Sequence, residues 1–224
     1  AGADTENFGL TLGTNTLTPL HAWQDKVNGT VWSTVTGEPH VGNPYEIGYG
    51  GMPFLRFWAD QRLGGASLTL DTSTNGSCIV FVCSQVNWDV TNQVMVASDA
   101  SNFIKVSGTS AAVWSVKIGG NSQAVNMTGD ALVDGETYVF ILNITLDGGQ
   151  TYVRSYTNGV SGELQGYGSS TDLDFVIDEI GSKSQGTTQG MSGDFKELIC
   201  YDRSLTLAEI ANLNHYLVSK HGCQ

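Results

Sequence analysis

Runs of apolar and β-branched residues alternate along this chain with short clusters of Gly, Asn, Asp, Ser and Thr. Runs of that length, bounded by turn formers, predict strands. They fall at 8–12, 53–58, 77–85, 93–97, 102–107, 112–118, 123–127, 138–146, 151–157, 173–177 and 195–201. The clusters Asn75-Gly76, Gly119-Gly120-Asn121, Asp134-Gly135, Asp147-Gly148-Gly149 and Asn158-Gly159 supply the positive φ angles of tight hairpin turns. Many strands with hairpin signals and almost no helix predict an all-β sandwich or barrel.

One segment has a different period. Leu207, Ile210, Leu213 and Leu217 recur at helical spacing, predicting a helix over 207–221 with one apolar stripe. Thr206 stands three residues before Glu209, the spacing of a capping box, and Leu205 and Ile210 occupy the two positions of a hydrophobic staple. Lys220 and His221 fall in the last turn, where positive charge suits the helix dipole, and Gly222 is placed to end it.

Length and composition narrow the picture further. All-β sandwiches of 224 residues form one domain, and no repeat or linker divides this chain, so a single domain over 1–224 is expected. Apolar residues make up 40% and charged residues 14%, enough for a sizeable core and too apolar for a disordered chain. The formal net charge of −12 would repel phosphate backbones, and no basic stripe interrupts it, so neither nucleic acid nor an anionic membrane is expected as a partner. No stretch approaches the roughly 20 apolar residues that span a bilayer. Ala1-Gly2-Ala3-Asp4 has neither a basic start nor an apolar run, so no signal peptide is visible. Prior removal of one and synthesis in the cytosol both stay open.

Cys78 and Cys83 lie five apart in one predicted strand, roughly 17 Å from each other and on opposite faces, so they cannot pair together. Buried thiols are the simplest reading, and a disulfide to Cys200 or Cys223 stays open.

The stretch from Gly193 to Leu205, GDFKELICYDRSL, followed by Ala208-Glu209-Ile210 and by Tyr216-Leu217 and Lys220-His221-Gly222, resembles the C-terminal signature of laminin-G-like jelly-roll domains. In that family a final core strand ends in a Tyr-Asp-Arg turn and a short helix packs beneath the sandwich. Earlier pieces resemble the family in the same order: Ala22 to Gly29, Gly51 to Phe57, Thr157 to Val160, and Ile180-Gly181. The resemblance implies a two-sheet antiparallel jelly roll of the concanavalin A-like kind, closed by one C-terminal helix. The family holds sugar-binding modules, adhesion domains and surface proteins of bacteria and viruses. Its fold is shared with some polysaccharide hydrolases and lyases, and fold alone does not choose among them.

Retaining glycoside hydrolysis on such a sandwich would need two carboxylates about 5 Å apart. The nearest candidates, Asp174 and Asp178, share a strand face but lie roughly 13 Å apart, so no enzyme is expected. His21, His40, His215 and His221 form no metal-ligand pair, and each is expected to be satisfied or solvent-exposed. Asp89, Asp99, Asp130, Asp134, Asp147 and Asp172 offer the hard oxygen that calcium takes, but without EF-hand spacing. Turn formation is their simpler role, so no cofactor is expected and calcium stays open. Asn143-Ile144-Thr145 matches the glycosylation pattern, but mid-strand it is a poor acceptor.

Sugar binding would use aromatic faces exposed at a rim. The loop candidates are Tyr45, Tyr49, Trp88 and Tyr167, whereas Trp23, Trp58 and Trp114 fall in or beside strands and are expected in the core. The expected function is a non-catalytic, lectin-like module recognising glycan or a protein surface outside the cell. The alternative is a virion structural protein, such as a phage capsid decoration protein whose partner is capsid protein. Self-association into a homo-oligomer stays open.

Overall fold

The structure, a computed structural model, describes residues 18–19, 22–24, 31–36, 40–42, 54–57, 61–84, 93–98, 102–107, 113–126, 132–169, 174–182 and 190–223. In chain order its strands begin with β1 (Thr18–Pro19), β2 (Ala22–Gln24), β3 (Val31–Thr36), β4 (His40–Gly42), β5 (Phe54–Phe57) and β6 (Arg62–Gly64). There follow β7 (Leu68–Asp71), β8 (Ser77–Ser84), β9 (Gln93–Ala97), β10 (Phe103–Ser107), β11 (Val113–Ile118) and β12 (Asn121–Asn126). The last are β13 (Tyr138–Asp147), β14 (Gln150–Thr157), β15 (Val160–Ser169), β16 (Asp174–Ile177), β17 (Glu179–Ile180) and β18 (Gly193–Tyr201), followed by helix α1 (Leu207–His221).

Two antiparallel sheets of eight strands form the body. The first runs β1-β4-β5-β18-β8-β13-β14-β15, and the second runs β12-β11-β10-β9-β17-β6-β3-β2, with β16 and β7 paired separately. The hairpin signals act where expected: Asn158 and Gly159, at φ 45° and 87°, turn β14 into β15 so that Thr157 faces Val160.

The core lies between the sheets. Phe81 stacks on Trp114 with centroids 5.9 Å apart, and Phe140 meets Trp114 edge-on at 5.0 Å. Phe195 closes the cluster edge-on against Phe81 at 5.9 Å and Phe57 at 6.4 Å. Trp114 is fully buried, as its strand position predicted, while Trp58 lies outside the described residues.

A second apolar layer lies on the outer face of the first sheet, beneath α1. There Cys78, Val80 and Val82 of β8, Val139 and Ile141 of β13 and Tyr156 of β14 pack with Leu205, Ile210 and Leu217. Both faces of β8 are therefore covered, since Ile79, Phe81 and Cys83 point into the main core. Cys78 and Cys83 fall on opposite faces, and none of the four cysteines is in a disulfide.

The helix spans the predicted residues and carries the predicted caps. The Glu209 N–H donates to Thr206 Oγ1 at 3.3 Å, the Thr206 N–H donates to Glu209 Oε2 at 2.9 Å, and Gly222 adopts the left-handed conformation. Leu205 and Ile210 are both buried, completing the staple. The apolar stripe is narrower than expected: Ile210 and Leu217 are buried, but Leu207 is 70% exposed. At 3.6 residues per turn Leu207 lies about 90° from the centre of the arc through Ile210, Leu213 and Leu217. His221 lies about 20° beyond Ile210, at the edge of that arc, and is buried instead.

Several elements go beyond the expected set. The largest is β15, whose apolar pattern is interrupted by Gly162, Gly166 and Gly168. The short strands β3, β6 and β7 were likewise unmarked by long apolar runs. The strand expected at 8–12 lies outside the described residues.

Candidate functional site

Strand β18 carries Asp194, Lys196 and Glu197 in a stretch whose neighbours Phe195 and Leu198 face the main core. Its register on β8 shifts between Phe195 and Glu197. Such a bulge places an extra residue on one strand and re-aims its side chains. The polar side chains consequently gather on the outer face of the first sheet, at the end of α1, and all three residues are buried.

Glu197 is the centre of this cluster. Lys220 Nζ donates to both carboxylate oxygens, at 3.0 and 2.9 Å, and His221 Nε2 lies 2.7 Å from Oε2. The side chains are 4% exposed for Glu197 and 1% for His221. Burial alone would raise the Glu197 carboxyl, but the hydrogen bonds from His221 and Lys220 outweigh it and hold the group ionised below its usual range. Burial also dominates at His221, lowering it below the ordinary imidazole value despite the carboxylate beside it. The imidazole is therefore neutral and donates from Nε2, leaving Nδ1 buried with no hydrogen-bond partner.

Two further pairs extend the cluster across the sheet. Lys196 Nζ donates to Thr137 Oγ1 at 3.0 Å. Arg56 of β5 sits directly opposite Asp194 and forks onto it, Nε to Oδ1 at 2.6 Å and an Nη to Oδ2 at 2.8 Å. Burial raises the Asp194 carboxyl against the pull of Arg56. At the other end of α1, Asn143 of β13 bonds the Leu205 backbone through both its amide atoms, each at 2.9 Å. The cluster thus fastens the helix to the sheet at its C-terminal end, as Asn143 does at its N-terminal end. An imidazole–carboxylate pair can move protons in principle, but this one is almost entirely closed off from solvent.

The aromatic residues expected at a rim are distributed differently. Tyr45, Tyr49 and Trp88 lie outside the described residues. The strands preceding them are described: β4 pairs with β5, β5 with β18 and β18 with β8, each antiparallel. So β4 and β8 run in opposite directions. Tyr167 is corrected outright. It belongs to β15, is 5% exposed and donates its hydroxyl to the Val116 carbonyl at 2.8 Å, inside the main core. Glycines on either side gave it the look of a loop residue.

Of the aspartates considered for calcium, Asp134 is exposed in a turn, Asp147 is exposed at the end of β13, and Asp89, Asp99, Asp130 and Asp172 lie outside the described residues. Among the described residues no three potential metal ligands come together. Asp174 is exposed on β16, and Asp178 follows that strand half-buried. His215 is exposed on α1, while His221 is buried and bonded to Glu197 through Nε2 alone, a pairing that sequence spacing did not reveal. No described helix is long and apolar enough to cross a membrane.

No protein-family model matches the chain, and no curated protein sequence matches it. Solved structures do. A GH54 α-L-arabinofuranosidase soaked with a cyclic sulfate inhibitor superposes with a TM-score of 0.60 at 12% identity, over 91% of this chain and 51% of that one. The receptor binding domain of a botulinum neurotoxin C/D mosaic serotype gives 0.57 at 11% identity, over 90% and 52%. The botulinum neurotoxin serotype C1 binding domain gives 0.53 at 13%, over 89% and 52%. The chain spans about half the length of each of these three chains. At such identities the likeness concerns the fold, which is an antiparallel jelly-roll sandwich with a C-terminal helix packed on its outer face.

Proposed function

We propose that this chain is a non-catalytic, laminin-G-like binding module that recognises glycan through loops at the ends of its sheets. The observation that carries this reading is the position of the buried carboxylates. Asp194 is held by Arg56, Glu197 by Lys220 and His221, and Glu179 by Arg62 at 3.3 Å. Each is neutralised by a scaffold cation, whereas glycoside hydrolysis sets two carboxylates about 5–10 Å apart around one bond. The structural neighbours include a toxin receptor binding domain, a role consistent with a sandwich that presents loops.

A glycan array probed with the unsubstituted protein, Tyr49→Ala and Trp88→Ala tests the proposal. Binding abolished by one substitution and retained in the other is the expected result. Binding that survives both would overturn the assignment of the site, and hydrolysis of any bound oligosaccharide would overturn the non-catalytic reading.

A further inference from the structure

The Glu197 cluster contains more positive groups than one carboxylate can balance once His221 gains a proton. From α1 come Lys220 and His221, and from β18 come Glu197, Lys196 and Asp194. Cys223 just beyond the helix, Asp194 and Cys83 of β8 are close enough to act on the charge of Lys196, and Asp194 is already occupied by Arg56 of β5. Glu197 therefore stands against Lys220 as the fixed positive charge directly upon it, with Lys196 close by on the same strand.

With His221 neutral this arrangement is satisfied except at Nδ1, which is buried without a partner. A proton from solvent would add to that atom. It would create a buried N–H donor with no acceptor, and a further positive charge beside two ammonium groups. Leaving a buried polar group unmet costs far more than exposing it to water. The cheapest relief is for the last turn of α1 to turn outward, because that turn is where the helix meets β18 through charge. The N-terminal part is held independently, by Leu205 and Ile210 in the apolar layer and by Asn143.

We propose that His221 is an acid-sensitive latch whose protonation undocks the last turn of α1 from β18. Release lifts Leu217 from the layer it shares with Val80, Val82 and Val139, so acidification uncovers apolar surface on the outer face of the sheet. Both groups act in the same direction. A histidine whose folded pKa lies below its unfolded value of 6.5 stabilises the docked state above that value and loses the contribution as pH falls. The Glu197 carboxyl, also lowered, follows the same sign in a more acidic window, below its ordinary value of 4.5. This inference is independent of what the loops bind.

Amide hydrogen exchange over residues 216–222, corrected for intrinsic rates and read at about pH 5 and about pH 7.5, tests it on either side of the histidine window. Protection should fall at the lower pH by about tenfold for each unit by which burial depresses the histidine, while β8 and β13 stay protected. His221→Gln keeps an N–H donor for Glu197 but cannot titrate, so its protection should be the same at both values. Equal protection at both values in the unsubstituted protein would overturn the proposal, as would an equal loss in the variant. If the variant does not fold, the Cε1–H shift of His221 followed by NMR decides instead. Its titration midpoint must coincide with that of helix-end exchange, and different midpoints would overturn the latch.

Discussion

Asn143 and Leu205 are 62 residues apart and exchange two hydrogen bonds, the Asn143 amide donating to the Leu205 carbonyl and the Leu205 N–H donating back to Oδ1, each at 2.9 Å. A mid-strand amide thus imitates a strand neighbour for the one backbone residue that leads into the helix. Asn143→Ala would leave a buried N–H and a buried carbonyl unmet, at about 3 kcal/mol. Urea unfolding should show a lower midpoint with an unchanged slope. Asn143→Asp should be worse near neutrality, because a carboxylate cannot donate to Leu205, and should recover as the pH falls.

Arg56 and Asp194 make a second prediction, in which acidification again relieves the loss. Arg56→Met strands a buried carboxylate, and removing one partner of such a pair costs about 3–5 kcal/mol. A carboxyl whose folded pKa is raised favours the folded state at low pH and opposes it as the pH rises past its unfolded value of 3.8. The stability deficit of Arg56→Met should therefore shrink on acidification toward about pH 4. A deficit that grows in that range would show that Asp194 is not buried as a charge.

Gly181 follows β17 at φ 88°, and a Cβ there would stand 2.4 Å from Cδ1 of Phe57. Gly181→Ala combines about 1–2 kcal/mol of left-handed strain with about 1–3 kcal/mol of overpacking. Thermal unfolding should place it well below Gly222→Ala, whose Cβ meets nothing within 4 Å.

Thiol accessibility ranks the cysteines. Burial pushes the Cys78 and Cys83 thiols far up, and the Cys223 thiol to about 11. Cys223 is also only half-buried. Native-state alkylation read by peptide mass should modify Cys223 before Cys78 or Cys83. Early labelling of Cys83 would contradict its position in the core.

Elements with one dominant period were legible in the chain. The apolar run from Ser77 read as a strand, and Thr206, Glu209 and Gly222 marked both ends of α1 by local chemistry alone. Strand β15 was not legible, because three glycines remove the side chains on which alternation depends. The same interruption turned Tyr167, a core residue, into an apparent loop aromatic. The Glu197 cluster was hidden for a different reason. Asp194, Lys196 and Glu197 in a strand imply a solvent-facing edge, and only the docking of α1 converts that face into an interior. One local signal was available: His221 stands four residues after Leu217 and so shares its buried side of the helix.

Strand β18 lies between β5 and β8 in the middle of the first sheet, with partners as far as 138 residues away in the chain. During synthesis β5 and β8 emerge long before the strand that must separate them. Any nascent chain ending before Gly193 has a gap at the centre of that sheet and lacks the helix that roofs β8 and β13. Closure of the sandwich is therefore a late, largely non-local event, of the kind that folds slowly. Fragments truncated ahead of β18 would be expected to recruit chaperones or aggregate rather than form a smaller version of the domain.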